Sequence, residues 1–205
     1  MKQTKVNKTK APAFRIELSS GFILFFALIW FFDEGGFLAA LIPAILVHEL
    51  GHMMFLLFFG AHPTRLKTAL PGFVIDYSGT LTEMQETLAA LAGPALGLLF
   101  SYLCARLGKY WDNSYLLLCS GIGFILNFFN FLPVEPLDGG RVLGFALRSL
   151  CGEEKARRML SAVALITALA VIAMGLYYIK SGIGPALFLA GVWLFILQRR
   201  NLSKR

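Results

Sequence analysis

Charge is scarce in this sequence. Only 15% of the 205 residues are Asp, Glu, Lys or Arg, where a soluble domain carries roughly a quarter. No stretch is both long and polar enough to make a separate soluble domain. Cysteine is sparse too. Cys104, Cys119 and Cys151 are odd in number and form no C-x-x-C pair, which argues against a disulfide framework and against a cysteine-built zinc site. Histidine occurs three times, so any imidazole chemistry must use His48, His52 or His62. No internal repeat is visible. The net charge is +7, yet its cations stand at the ends of apolar runs, where they orient membrane helices. Nucleic acid is therefore not an expected partner.

What the sequence has in quantity is apolar length. Hydrophobic residues make up 57% of the chain, and mean hydropathy is +0.68. Several runs reach the ~20 residues that cross a bilayer. The expected fold class is an all-α polytopic membrane protein with about six transmembrane helices. Their expected ranges are 18–32, 36–59, 85–107, 114–132, 159–179 and 183–197. Residues 1–15 read as a cytoplasmic basic tail, and the first apolar stretch as a retained helix, since it ends in Asp33-Glu34-Gly35-Gly36 and not at a small-residue cleavage site. Pro43 is expected to kink the second helix.

Two stretches break the helical pattern. Between residues 61 and 82, Pro63, Pro71, Gly72 and Gly79 interrupt any helix. Phe73 to Tyr77 has β-character, with Leu81-Thr82 following a Ser78-Gly79 turn, so a short β-hairpin or re-entrant loop is expected. The fourth apolar segment ends in a broken loop, Asn130 to Arg141, where two prolines and two glycines forbid a continuous helix. Residues 141–158 read as a basic amphipathic connector. All but three of the nineteen cations, Arg106, Lys109 and Lys180, fall on one side of a six-crossing arrangement. Both termini are then cytoplasmic and the location is a cell membrane.

The organising element is His48-Glu49-Leu50-Gly51-His52, an H-E-x-x-H motif inside the second apolar run. Residues four apart share a helix face, so both imidazoles can reach one metal ion while Glu49 stands beside the water that the ion carries. Ionisable groups at such depth are expensive and point to function. A catalytic zinc takes three protein ligands and leaves a position for water. His62, Asp76, Glu83, Glu86 and Asp138 are all candidates for the third. Asp138 is the best placed, in a Pro-Leu-Asp-Gly-Gly turn able to aim a carboxylate inward; its bland alternative is a helix N-cap. Gly93 and Pro94, on the helix between, belong to a small-residue stretch that lets helices approach closely.

His48-Glu49-Leu50-Gly51-His52 together with Asn130-x-x-Pro133-x-x-Pro136-Leu137-Asp138-Gly139-Gly140 resembles the site-2 protease family, the intramembrane zinc metalloproteases of peptidase family M50. The similarity spans about residues 36–150, and the six-helix layout is nearest the branch that processes a sporulation transcription factor. A C-terminal regulatory domain like that branch's, and a PDZ insertion, are not expected here. The asparagine often found after Gly-Pro in the family is replaced by Ala95. The resemblance implies one domain over 1–205 with a core at 36–150 and two additional helices over 159–197. It implies one Zn2+ per chain held by His48, His52 and Asp138, with Glu49 as general base. Asn130 is implied as a donor to substrate or oxyanion. The implied function is hydrolysis of a peptide bond in a membrane-embedded or membrane-associated protein, in regulated proteolysis. Partners are the substrate, the bilayer and candidate regulatory membrane proteins. Two rival readings are a metal-binding membrane transporter and a catalytically inactive substrate-binding relative.

Overall fold

A computed structural model describes residues 2–3, 14–69, 72–181 and 184–203. Most of the expected N-terminal tail, Leu70 and Pro71 of the expected loop, residues 182–183 and the last two residues lie outside the described residues. The chain divides into two compact units, residues 1–128 and 129–205.

The first unit contains strands β1 (Lys2–Gln3) and β2 (Arg15–Glu17), helices α1 (Ser20–Phe32) and α2 (Phe37–Phe58), strands β3 (His62–Ala69) and β4 (Gly72–Ser78), helix α3 (Glu83–Tyr110) and all but the last two residues of α4 (Ser114–Asn130). Local chemistry sets these boundaries. Gly36 takes a left-handed φ of 70° before α2, and the Asp33 carboxylate accepts from the Phe37 and Leu38 amides, two of the donors a helix start leaves unpaired. Those amides, Leu38 first, hold the Asp33 pKa below its ordinary value. Thr82 and Gln85 close a reciprocal capping box at the start of α3, with Glu83 and Glu86 in its first turn.

Helix α2 turns its large apolar side chains outward. Ala40, Ala44, His48, Gly51, His52 and Leu56 are buried, whereas Leu46, Leu50, Met54 and Phe58 are exposed. A small and polar inner stripe beneath a bulky apolar outer face suits a helix bathed in lipid. Pro43 lies inside α2 and cannot donate to the Ala39 carbonyl. The Tyr115 hydroxyl donates to that carbonyl instead, at 2.8 Å.

The hairpin expectation holds, with a different partner strand. β4 pairs antiparallel with β3, not with Leu81-Thr82, in a sheet of order β1-β4-β3-β2. Thr82 is taken by the α3 capping box, which removes it from strand pairing. On the other edge of β4, β1 runs parallel opposite Asp76 and Tyr77. The sheet docks through Ile75, Tyr77 and Leu66 onto Leu56 of α2 and Ala89 of α3. The buried Tyr77 hydroxyl donates to Glu86.

The second unit holds α5 (Asp138–Cys151), α6 (Glu153–Tyr177), a 3-10 turn (Ile179–Ser181) and α7 (Gly184–Ser203). The expected connector over 141–158 is thus a helix of its own, α5, and α6 begins six residues before its expected start. Gly152, at φ 81°, separates the two. Leu132, Val134 and Leu137 pack on Ala164 and Ala168 of α6 and Leu194 of α7, and so anchor the broken loop into this unit's core. Helices α2, α3 and α6 are long and apolar enough to cross a membrane, and α4 and the 185–199 part of α7 are shorter apolar helices.

Candidate metal centre

The H-E-x-x-H motif lies on α2, and the fold surrounds both imidazoles with hydrogen-bond partners. His52 Nδ1 is 2.8 Å from the Ala89 carbonyl on α3. A carbonyl oxygen only accepts, so Nδ1 carries the proton and donates. His48 Nδ1 is 2.8 Å from Asn127 Oδ1 on α4. The Asn127 amide nitrogen donates to the Gly123 carbonyl at 2.7 Å, which orients the amide and makes Oδ1 the acceptor for His48. Both neutral imidazoles are therefore Nδ1–H tautomers whose Nε2 lone pairs point into the site.

Those two Nε2 atoms are 3.1 Å apart, with the rings nearly perpendicular. In the neutral Nδ1–H forms the two Nε2 lone pairs face and repel each other. A shared cation removes that repulsion. Two imidazole nitrogens on one tetrahedral zinc stand about 3.3 Å apart, from Zn–N distances of about 2.0–2.1 Å. The spacing fits such an ion, and both ligand rings carry the hydrogen-bonded outer partners usual for metal histidines.

Helix α3 makes room for this arrangement. A Cβ on Gly93 would stand 2.3 Å from His52 Cε1 and Nε2, and one on Gly97 would stand 2.2 Å from Asn127 Oδ1. A Cβ on Gly51 would meet the Ala92 carbonyl at 2.4 Å. The small-residue stretch thus has a purpose beyond close helix approach. Its two glycines, one turn apart, seat the second histidine and the amide that orients the first.

The candidates for a third ligand separate clearly. Asp76 is buried but ion-paired to Lys67 at 2.7 Å, and Glu86 accepts from Tyr77. Glu83 and His62 are exposed. Asp138 is the first residue of α5, buried, and 3.8 Å from the Arg141 guanidinium. It is not an N-cap, a position held by Leu137. Gly139 and Gly140 bring the first turn of α5 against the loop, since a Cβ on either would strike the Phe131 carbonyl or the Val134–Glu135 backbone. His48 and His52 belong to the first unit and Asp138 to the second; all three are buried, and their donor types, two imidazoles and a carboxylate, are those of a metal site. Glu49 follows His48 on α2, and Asn130 is the last residue of α4; both are partly buried. Asn127 was not singled out by the sequence pattern. Its signal was available, as an amide in the apolar run of α4.

The family model of Peptidase family M50 matches residues 105–174, a stretch that includes Asn127, Asn130 and Asp138 but not the H-E-x-x-H motif. The chain is 27% identical over 173 residues to Zinc metalloprotease MJ0392 of Methanocaldococcus jannaschii, covering 78% of this chain and 51% of that protein. It therefore spans about half the length of that relative. These likenesses point to the site-2 protease family. The fold is similar as well. The solved structure of a site-2 protease from Methanocaldococcus jannaschii superposes with a TM-score of 0.68 over 95% of this chain and 94% of that one, at 20% identity. Zinc is the metal in that relative's name, and a donor set of two imidazoles and a carboxylate suits it.

Proposed function

We propose that this chain is an intramembrane zinc endopeptidase that hydrolyses a peptide bond in a membrane-embedded or membrane-associated protein, in regulated proteolysis. One observation carries the reading. Two buried histidines one turn apart on a membrane-length helix bring their Nε2 atoms to 3.1 Å, while each Nδ1 meets an acceptor on another helix. His48, His52 and Asp138 would hold zinc. When bound, zinc polarises the scissile carbonyl and lowers the pKa of a water to about 7. Glu49, next to His48, takes the proton from the attacking water and gives it to the leaving amine. Asn130 donates a hydrogen bond to the substrate backbone or to the developing oxyanion.

The cleaved segment must be extended, because a helix keeps its amides bonded internally. The edge of β4 offers a template. Among the described residues, β1 pairs with Asp76 and Tyr77 alone, and Phe73 to Ile75 are the positions where an added strand would pair. Prolines at Phe73 and Ile75 should slow cleavage of membrane substrates, and unchanged rates would exclude strand addition. The six-crossing arrangement with both termini cytoplasmic puts the H-E-x-x-H helix on a path from outside to inside, with cleavage near the cytoplasmic face.

The test is co-expression of wild-type, Glu49→Gln and Asp138→Asn forms, read by membrane-protein fragments and by zinc content. Glu49→Gln should abolish fragment formation with zinc retained, and Asp138→Asn should lower zinc occupancy. Cleavage by Glu49→Gln would overturn the role of Glu49. Wild-type protein that neither contains nor takes up zinc would overturn the metal reading.

A further inference from the structure

We infer that Asn127 is a positioning residue for the metal centre: it selects the Nδ1–H tautomer of His48 and aims its Nε2 lone pair at the shared ligand position. The inference rests on the zinc reading above. Asn127 is completely buried in α4, a helix whose interior has little use for an amide. Both ends of that amide are engaged. Oδ1 meets His48 Nδ1 at 2.8 Å and Nδ2 meets the Gly123 carbonyl at 2.7 Å. The second bond is what makes the first selective. Because the Gly123 carbonyl only accepts, the amide cannot flip, and His48 is always offered an acceptor. Gly97 leaves the space in which the amide stands.

The two histidines are served differently. His52 is oriented by a main-chain carbonyl, Ala89, which any side chain at that position would supply. His48 depends on one side chain, and its loss releases the ring. An amide also differs from a carboxylate there. It orients the imidazole without adding negative charge to a site that already contains Asp138 and Glu49, and so leaves more of the metal's charge to act on water. Asn127 acts through His48 and touches neither water nor substrate.

The experiment uses the full chain in detergent micelles. Zinc affinity is measured by competition with a chromogenic chelator, and the visible spectrum of the cobalt-substituted protein reports ligand geometry. Asn127→Leu keeps the volume and removes the acceptor; it should weaken zinc binding about 10- to 100-fold, as loss of an outer-shell partner does, and alter the cobalt bands. Asn127→Asp can restore both bonds when protonated, accepting from His48 and donating to the Gly123 carbonyl, and should recover most of the affinity. If Asn127→Leu does not fold, Asn127→Ser takes its place, since its shorter hydroxyl falls short of His48; the same weakening is expected. A folded Leu or Ser variant with wild-type zinc affinity and an unchanged cobalt spectrum overturns the inference alone. Wild-type protein that binds no zinc overturns the zinc reading and this inference with it.

Discussion

Replacing Gly93 with alanine adds one methyl group at the most crowded point of the metal centre. Its Cβ would stand 2.3 Å from both Cε1 and Nε2 of His52, about 1.2 Å inside the ordinary ~3.5 Å contact distance. Backbone cannot absorb this easily, because α3 and α2 already touch where Gly51 meets Ala92. The imidazole must move. A ligand nitrogen displaced by about 1 Å is far outside the ~0.2 Å tolerance of a metal–ligand distance, and the shift also breaks the 2.8 Å bond from His52 Nδ1 to the Ala89 carbonyl. Loss of the outer partner alone costs about 10- to 100-fold in affinity, so Gly93→Ala should lose at least 100-fold. Overpacking adds about 1–3 kcal/mol of destabilisation. Gly121→Ala is the control, since nothing lies within 4 Å of a Cβ there. The assay is zinc content after purification in detergent, with chelator competition and thermal unfolding on the same samples. Gly93→Ala protein that binds zinc as tightly as Gly121→Ala would refute the geometry described for His52.

Tyr115→Phe removes the donor that replaces the missing Pro43 amide at the Ala39 carbonyl. It should lower stability by about 1 kcal/mol in detergent unfolding, and Pro43→Ala, which restores an amide, should suppress the loss; two independent, additive effects would contradict the pairing. Asp33 gives a pH signature. Its folded pKa is depressed by the Leu38 and Phe37 amides, so its stabilising effect is full above the unfolded value, ordinarily about 3.9, and disappears as pH falls below it through the lower folded value. Wild-type stability should therefore drop as pH falls from about 5 to about 3 by more than that of Asp33→Asn; parallel pH curves would show that the cap contributes nothing.

The sequence reading succeeded wherever a short-range rule was enough. Long apolar runs, helix breakers at Pro63, Gly72, Pro133 and Pro136, and the four-residue spacing of His48 and His52 depend only on neighbouring residues. It misread the partner of β4. His62 to Ala69 alternates too weakly to stand out, with a proline and two cations among its eight residues, and only docking of Leu66 into the small core beside Leu56 and Tyr77 selects it as the hairpin strand. α5 was read as a connector because its apolar positions are interrupted by Gly and Arg; its first turn is seated by Gly139 and Gly140 against the preceding loop.

For the metal centre, sequence alone determined that two imidazoles share one helix face, that Glu49 stands between them, and that a membrane-length run encloses all three. Helical periodicity and the energetic cost of buried charge suffice for that. Which tautomer each imidazole adopts was decided by tertiary structure, because a ring nitrogen's proton follows the acceptor it meets, and those acceptors come from other helices: the Ala89 carbonyl, 37 residues from His52, and Asn127, 79 residues from His48. The value of Gly93 and Gly97 was decided there as well. A missing Cβ acquires meaning only from the atom that would otherwise strike it.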